Sequence, residues 1–180
     1  MEDKRNVMDE FRGWSHEDIV QELDKRGVVL EIAIENLDRD FNMGTIVRSA
    51  NAFGVRIVHI IGRKQWNKRG AMITDKYLHI IYYAAPDEFC EAMKHRGREI
   101  IAIENNVVST SLGETSLPKK CVLVFGSEGN GISDELLSKA NRVIHIEQFG
   151  STRSVNVGVA SGIAMYIWVQ QHALDKRALM

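Results

Sequence analysis

Cysteine and proline are nearly absent: the 180-residue chain has two of each. Cys90 and Cys121 sit in apolar sequence and match no metal or redox spacing. Their scarcity excludes a disulfide-stapled scaffold, and both read as core thiols of a cytoplasmic protein. Pro86 and Pro118 fall where a loop or a helix start is expected, so helices and strands run without proline breaks. No stretch approaches the roughly 20 apolar residues that span a bilayer. The charged start, Met1 to Asn6, leads into no apolar leader segment, so no secretory signal and no membrane partner are expected. Net charge is lacking as well, with 23 Lys and Arg against 24 Asp and Glu for a formal −1. Any nucleic-acid footprint must therefore be local. There is no internal repeat and no low-complexity segment. What is present, 44% hydrophobic and 26% charged residues, fits one ordinary globular domain.

The pattern along the chain divides it in two. Residues 1–27 read as a charged, amphipathic helical extension. Ser15 with Asp18 three positions on resembles a capping box, and Ile19, Val20 and Leu23 form the apolar stripe of the helix that follows. From Val28 to residue 180, apolar strand-like runs alternate with helices. Strands are expected at Val28 to Ile34, Val55 to Ile61, Tyr77 to Tyr83, Glu99 to Ile103, Cys121 to Phe125 and Val143 to Ile146. Helices are expected from Asn42 to Phe53, Pro86 to His95, Ile132 to Ala140 and Ser154 to about Leu174. Asn42 is the expected N-cap and Gly54 the stop of the first. This alternation predicts an α/β domain, doubly wound around a mostly parallel sheet, with chemistry in loops beyond the strands' carboxyl ends.

Three loops qualify. In the first, Asn36 to Arg48, Gly44 permits a close backbone approach. Arg48 either snorkels or pairs with Asp38 or Asp40, or it is aimed at a phosphate or ribose. In the second, Gly126, Gly129 and Gly131 follow an apolar strand with G-x-x-G-x-G spacing, which is neither the dinucleotide fingerprint, a P-loop nor a nucleophile elbow. Glu128 in that turn is either a helix N-terminal charge or the holder of a cation beside a ligand. In the third, Ile146 to Gly162, small residues such as Gly158 and Gly162 suit close packing against the sheet or a second copy. Asn156 is either an ordinary first-turn residue or an amide that orients a hydroxyl. A basic run, Arg63-Lys64-Gln65-Trp66-Asn67-Lys68-Arg69, is either a solvated loop or a phosphate grip with a stacking ring.

Taken in order, Asn42-x-Gly44-x3-Arg48-x4-Phe53-Gly54, Phe125-Gly-Ser-Glu-Gly-x-Gly-Ile and Ile146-x7-Ser154-Val-Asn156-Val resemble the three motifs of the SpoU/TrmH family of RNA 2′-O-ribose methyltransferases, within the SPOUT superfamily. The resemblance runs from about Leu30 through the last helix. It implies a C-terminal trefoil knot, a homodimer, S-adenosylmethionine as cofactor and tRNA or rRNA as substrate, with no metal. By position it implies Arg48, Glu128, Asn156 and Ser154 as catalytic residues. Cofactor contacts fall on Ile103, Glu104, Gly126, Ile146 and Val155. RNA contacts are expected at Asn42 and, from local charge and an interleaved ring, at Arg63, Lys64, Trp66, Lys68 and Arg69, with Arg153, Lys4, Arg5 and Arg12 as weaker candidates. Two positions depart from the family pattern: Glu147 replaces a usual proline, and Val155 a usual leucine. The helical extension points to tRNA, since compact wobble-position enzymes of the family usually lack it, and no separate RNA-recruiting domain of the longer rRNA enzymes is seen. The tRNA D-loop, the tRNA wobble position and an rRNA site are the candidate targets, and a non-catalytic RNA-binding module is the alternative. An arginine, with a pKa above about 12 in water, is a poor general base. Arg48 is therefore expected to grip the target phosphate and stabilise the developing alkoxide.

Overall fold

The computed structural model describes residues 5, 7–36, 42–105, 107–152 and 154–174. Seven strands form one sheet: β1 (Glu31–Asn36), β2 (Ile57–Gly62), β3 (His79–Tyr83), β4 (Glu99–Ile103), β5 (Thr110–Ser111), β6 (Cys121–Phe125) and β7 (Arg142–His145). They lie in the order β3-β2-β1-β6-β4-β7-β5, and every neighbouring pair is parallel. Among the described residues five α-helices accompany them: α1 (His16–Arg26), α2 (Met43–Ala52), α3 (Pro86–His95), α4 (Asp134–Lys139) and α5 (Val157–His172).

Period-two alternation sorts the strand side chains to two faces. Ile32, Ile34, Val58, Ile60, Leu123 and Phe125 pack with α2 and α5 through Met43, Ile46, Val47, Met165 and Trp168. Ala33, Ile61, Val122 and Val124 face the other way, onto Phe89 and Met93 of α3 and Leu136 of α4. With both faces covered, β1 and β6 are buried at every position; β6 is a continuous apolar run, while β1 buries Glu31, Glu35 and Asn36 beside its apolar centre. Cys121 is among these core residues, and burial pushes its thiol up to about 12. Helix α1 packs through its apolar stripe. Ser15 caps α1 by accepting from the Asp18 N–H, and Ile19 and Phe11 bury against Tyr77. Asp24 of α1 bonds Arg56 Nε at 2.8 Å and His79 Nε2 at 2.9 Å, tying α1 to the β2–β3 side.

The strand order reverses between β1 and β6. From there β2 and β3 extend one way, and β4, β7 and β5 the other. Chains leaving β1 and β6 diverge, opening a crevice beyond their carboxyl ends.

The opposite, amino end of the sheet holds a buried charge cluster. Glu31 is 2% exposed and takes hydrogen bonds or ion pairs from His59 Nε2 (2.8 Å), Arg98 Nη2 (2.8 Å) and Arg96. His59 Nδ1 has no hydrogen-bond partner among the described residues, which suits a neutral ring carrying its proton on Nε2. Burial drives the His59 pKa below its ordinary 6.5, outweighing the pull of Glu31. Burial alone would raise Glu31, but the bonds from His59 and Arg96 hold it below the usual carboxylate range. Below pH 6.5 the unfolded histidine takes up a proton that the native one refuses, so this contribution to stability is lost as pH falls. Urea unfolding is predicted to show stability falling from pH 7.5 to 5.5. His59→Gln, read against the wild type, should remove a slope of up to about 1.4 kcal/mol per pH unit. Equal slopes in the two proteins would contradict this role.

Candidate active site

Each loop expected to carry chemistry leaves the carboxyl end of a strand: two at the switch, the third at β7, with β4 between it and β6. The segment before α2 follows β1, the glycine turn follows β6, and the segment before α5 follows β7. One cluster of side chains joins all three. Asn156 Nδ2 donates to Glu128 Oε1 and to Asn42 Oδ1, both at 3.0 Å. Asn42 Nδ2 donates to Glu128 Oε2. Asn156 also caps α5, its Oδ1 accepting from Gly158 N–H at 3.0 Å and Val159 N–H at 3.3 Å. Both atoms of its amide are thus committed, which an ordinary first-turn residue does not require.

One sequence-based expectation is corrected here. Asn42 is not a side-chain cap: its own backbone is helical, no cap bond forms, and its amide is spent on Glu128 and Asn156. Glu128, for which two roles stood open, pairs with these amides across loops. The α4 N-terminus is capped by Ser133, whose N–H and hydroxyl both donate to buried Glu35, at 2.7 and 2.6 Å. Glu35 went unnoticed because a carboxylate in a strand gives no sign that it faces a helix start about 100 positions away.

The glycines act by close approach. A Cβ at Gly44 would lie 2.6 Å from the Ala71 nitrogen, so α2 sits directly on the backbone of residues 70–71. A Cβ at Gly126 would lie 2.1 Å from the Gly131 carbonyl carbon, because Ser127 and Gly131 exchange two backbone hydrogen bonds across the turn. Gly131 has φ +67° and faces Glu104, whose Oε2 accepts from the Ile132 N–H at 3.0 Å.

Between the ends of β4, β6 and β7 and the start of α5 lies a cavity of about 230 Å³. Ile103, Glu104, Gly126, Ile146 and Val155 all line it, together with Glu128, Ser154 and Asn156. Ser127 Oγ and Gln148 Nε2 line the same cavity, buried and without a hydrogen-bond partner among the described residues. Buried polar atoms without partners are costly in a folded protein, and their place on a cavity wall suits a ligand with polar groups of its own. Neither was singled out from the sequence. Ser127 lay within a recognised turn, and Gln148 carried no signal.

Arg48 is exposed on α2 and has no side-chain partner among the described residues; Asp38 and Asp40 lie outside them. Ser154 is exposed beside the cavity. In the basic run, Arg63, Lys64 and Arg69 are exposed. Lys68 bonds Asp75 at 2.8 Å, which raises its pKa. Trp66 is half-buried against the core, with Lys68 Nζ 5.4 Å from its ring centre, so this ring does not stand free. Buried Asn36 holds the run in place, donating to the carbonyls of Arg63 (2.6 Å) and Gln65 (3.1 Å). Arg153 and Lys4 lie outside the described residues. Arg12 pairs with Asp9, and Arg5 bonds His16 and lies over Tyr77. Among the described residues no group of three or more His, Cys, Asp or Glu is placed to hold a metal.

The glycine turn makes a direct prediction. Gly126→Ala should cost about 1–3 kcal/mol, because the clash is with backbone that cannot yield. Amide exchange at Ser127 and Gly131 should quicken. Gly150→Ala, where a Cβ meets nothing within 4 Å, should be silent in calorimetry and exchange alike.

Comparison with known proteins agrees with this geometry. The tRNA (guanosine(18)-2′-O)-methyltransferase of Aquifex aeolicus is 32% identical over 148 residues, covering 80% of this chain and 70% of that one. The crystal structure of the A. aeolicus TrmH/SpoU tRNA modifying enzyme superimposes with a TM-score of 0.77 at 28% identity, covering 91% of this chain and 84% of that one. A structure reported as giving insights into 2-OH methylation of C/U34 on tRNA matches with a TM-score of 0.69 at 25% identity, covering 79% and 95%. Residues 29–166 match the SpoU rRNA Methylase family, and the chain belongs to that family.

Proposed function

We propose that the protein transfers a methyl group from S-adenosylmethionine to a ribose 2′-hydroxyl of tRNA, with guanosine 18 as the target nucleoside. The observation that carries this reading is the cavity at the strand ends. Its wall holds all five expected cofactor residues and two unpartnered polar atoms, and it adjoins the Asn42–Glu128–Asn156 cluster. Guanosine 18 is the position in the name of the Aquifex relative. The A. aeolicus TrmH/SpoU structure matches 91% of this chain, against 79% for the protein connected with C/U34 of tRNA, so the former accounts for more of the molecule.

When bound, S-adenosylmethionine supplies a methyl group on a positively charged sulfur. The protein's task is to hold a poor nucleophile, a ribose hydroxyl, polarised and in line with that carbon; such placement accounts for much of the acceleration of a displacement. The backbone groups of Ile103, Gly126, Ile146 and Val155 hold the cofactor, with Glu104 bracing the glycine turn. Glu128 fixes the Asn42 and Asn156 amides. Asn156, its amide fully committed, fixes the loop from which Ser154 orients the hydroxyl. Arg48 grips the adjoining phosphate and stabilises the alkoxide as it forms, and the proton leaves to that phosphate or to solvent. Arg63, Lys64, Lys68 and Arg69 draw the RNA backbone onto this end of the sheet.

The same reading includes a C-terminal trefoil knot, a cytoplasmic setting and a homodimer. Val159, Ile163 and Tyr166 support the dimer, since they form an exposed apolar stripe along α5. Residues 1–27 act in it as an extension of a single catalytic domain. Among the described residues no helix is long and apolar enough to cross a membrane.

Transfer of labelled methyl to RNA tests the reading. Label should enter a tRNA transcript and be lost when nucleotide 18 carries a 2′-deoxyribose. Arg48→Ala should bind S-adenosylmethionine as the wild type does, yet lose about 10²-fold or more in turnover. Labelling that survives at position 18-deoxy and disappears at position 34 would move the target. Cofactor binding without transfer to any tRNA or rRNA would make the protein a non-catalytic module.

A further inference from the structure

The cavity wall at residues 146–149 belongs to no helix or strand, yet Ile146 and Gln148 both face the cavity. Side chains must hold this segment. From the β4 end, Asn105 grips Ile146 twice: it accepts from the Ile146 N–H at 3.4 Å and donates to the Ile146 carbonyl at 3.2 Å. From the β5 side, Glu147 points away from the cavity into a neighbouring hollow shared with His145 and Phe149. Its Oε1 accepts from Ser111 Oγ and from the Gly113 N–H, the latter at 3.1 Å. A Cβ at Gly113 would lie 2.7 Å from that oxygen, so the bare glycine is what admits the carboxylate. Ser111 is fixed in turn: Oγ accepts from the Glu114 N–H at 3.2 Å, and its carbonyl accepts from Thr115 Oγ1.

We propose that Glu147, anchored on Ser111 and Gly113, is a positioning residue for the cofactor, pinning residues 146–149 so that Ile146 and Gln148 form the cavity wall. The proposal rests on the reading of that cavity as the S-adenosylmethionine site. It gives a purpose to the carboxylate found where the family pattern has a proline: hydrogen bonds to a second loop replace the stiffness of a ring. The Ser111 hydroxyl, more than any other group, holds the Glu147 carboxyl below the usual range, so it is an ionised acceptor at neutral pH. A residue that merely stabilised β5 would alter melting without altering cofactor affinity.

Calorimetric titration of the full chain with S-adenosylmethionine, paired with rates at saturating cofactor, separates the two roles. Glu147→Ala should raise the cofactor Kd by about tenfold or more, the scale of losing hydrogen bonds to a charged group. Turnover at saturating cofactor should be nearly unchanged. Ser111→Ala should fall between, and Glu147→Gln, which keeps the accepting Oε1, should recover most of the affinity. Should Glu147→Ala fail to fold, the Ser111→Ala and Glu147→Gln pair decides alone. Wild-type Kd in Glu147→Ala, or in Ser111→Ala, overturns the proposal. A wild type that binds no S-adenosylmethionine overturns the reading of the cavity first, and the proposal with it.

Discussion

Three loops separated by up to 114 positions are held together by one carboxylate and two amides. Glu128 accepts from Asn42 and from Asn156, and Asn156 accepts in turn from the first turn of α5. The cluster exists because β1 and β6 are neighbours while their connections run to opposite sides of the sheet. If that adjacency were lost, Asn42 would be parted from Glu128 and Asn156. If Asn156 were lost, α5 would lose its cap as well as its link to β6. The same residues therefore serve the fold and the site.

The cavity around this cluster is built from loops with little regular structure, so it depends on side chains that fix backbone. Glu104 holds Ile132, Asn105 holds Ile146, Glu35 holds Ser133, and Glu147 holds Gly113. Each places a side-chain oxygen or amide against otherwise unpaired backbone groups, which is what a buried loop needs to avoid unsatisfied polar atoms. At the far end of the sheet Glu31 gathers His59, Arg96 and Arg98 in a cluster with no link to the cavity. Its charge balance bears on stability, while that of the loop end bears on chemistry.

Elements with local signals were legible in the sequence. Pro86 at the first turn and a basic end placed α3 at Pro86–His95, and the apolar runs placed β4 and β6. Ends set by tertiary contacts were less legible. The last helix begins at Val157, because Asn156 and not Ser154 is its cap. The two-residue β5 was too short to leave a pattern. At the site, the motif spacing singled out Glu128 and Asn156, but nothing local announced that Asn42 is their partner. A polar residue before a helix looks like a cap until the loops it faces are known. Trp66 in a basic run looked like a free ring because sequence shows charge and not burial.

The account turns on Glu128 and Asn156 acting as one unit, and a double-mutant cycle on methyl transfer measures this directly. With Glu128→Ala, Asn156→Ala and the double variant assayed at saturating cofactor, joined residues should be non-additive. The second substitution should then cost far less than it does alone, with a coupling of about 0.5–3 kcal/mol. Additive losses would mean that the two side chains act separately, and that the cluster uniting the three loops is not what positions the reaction.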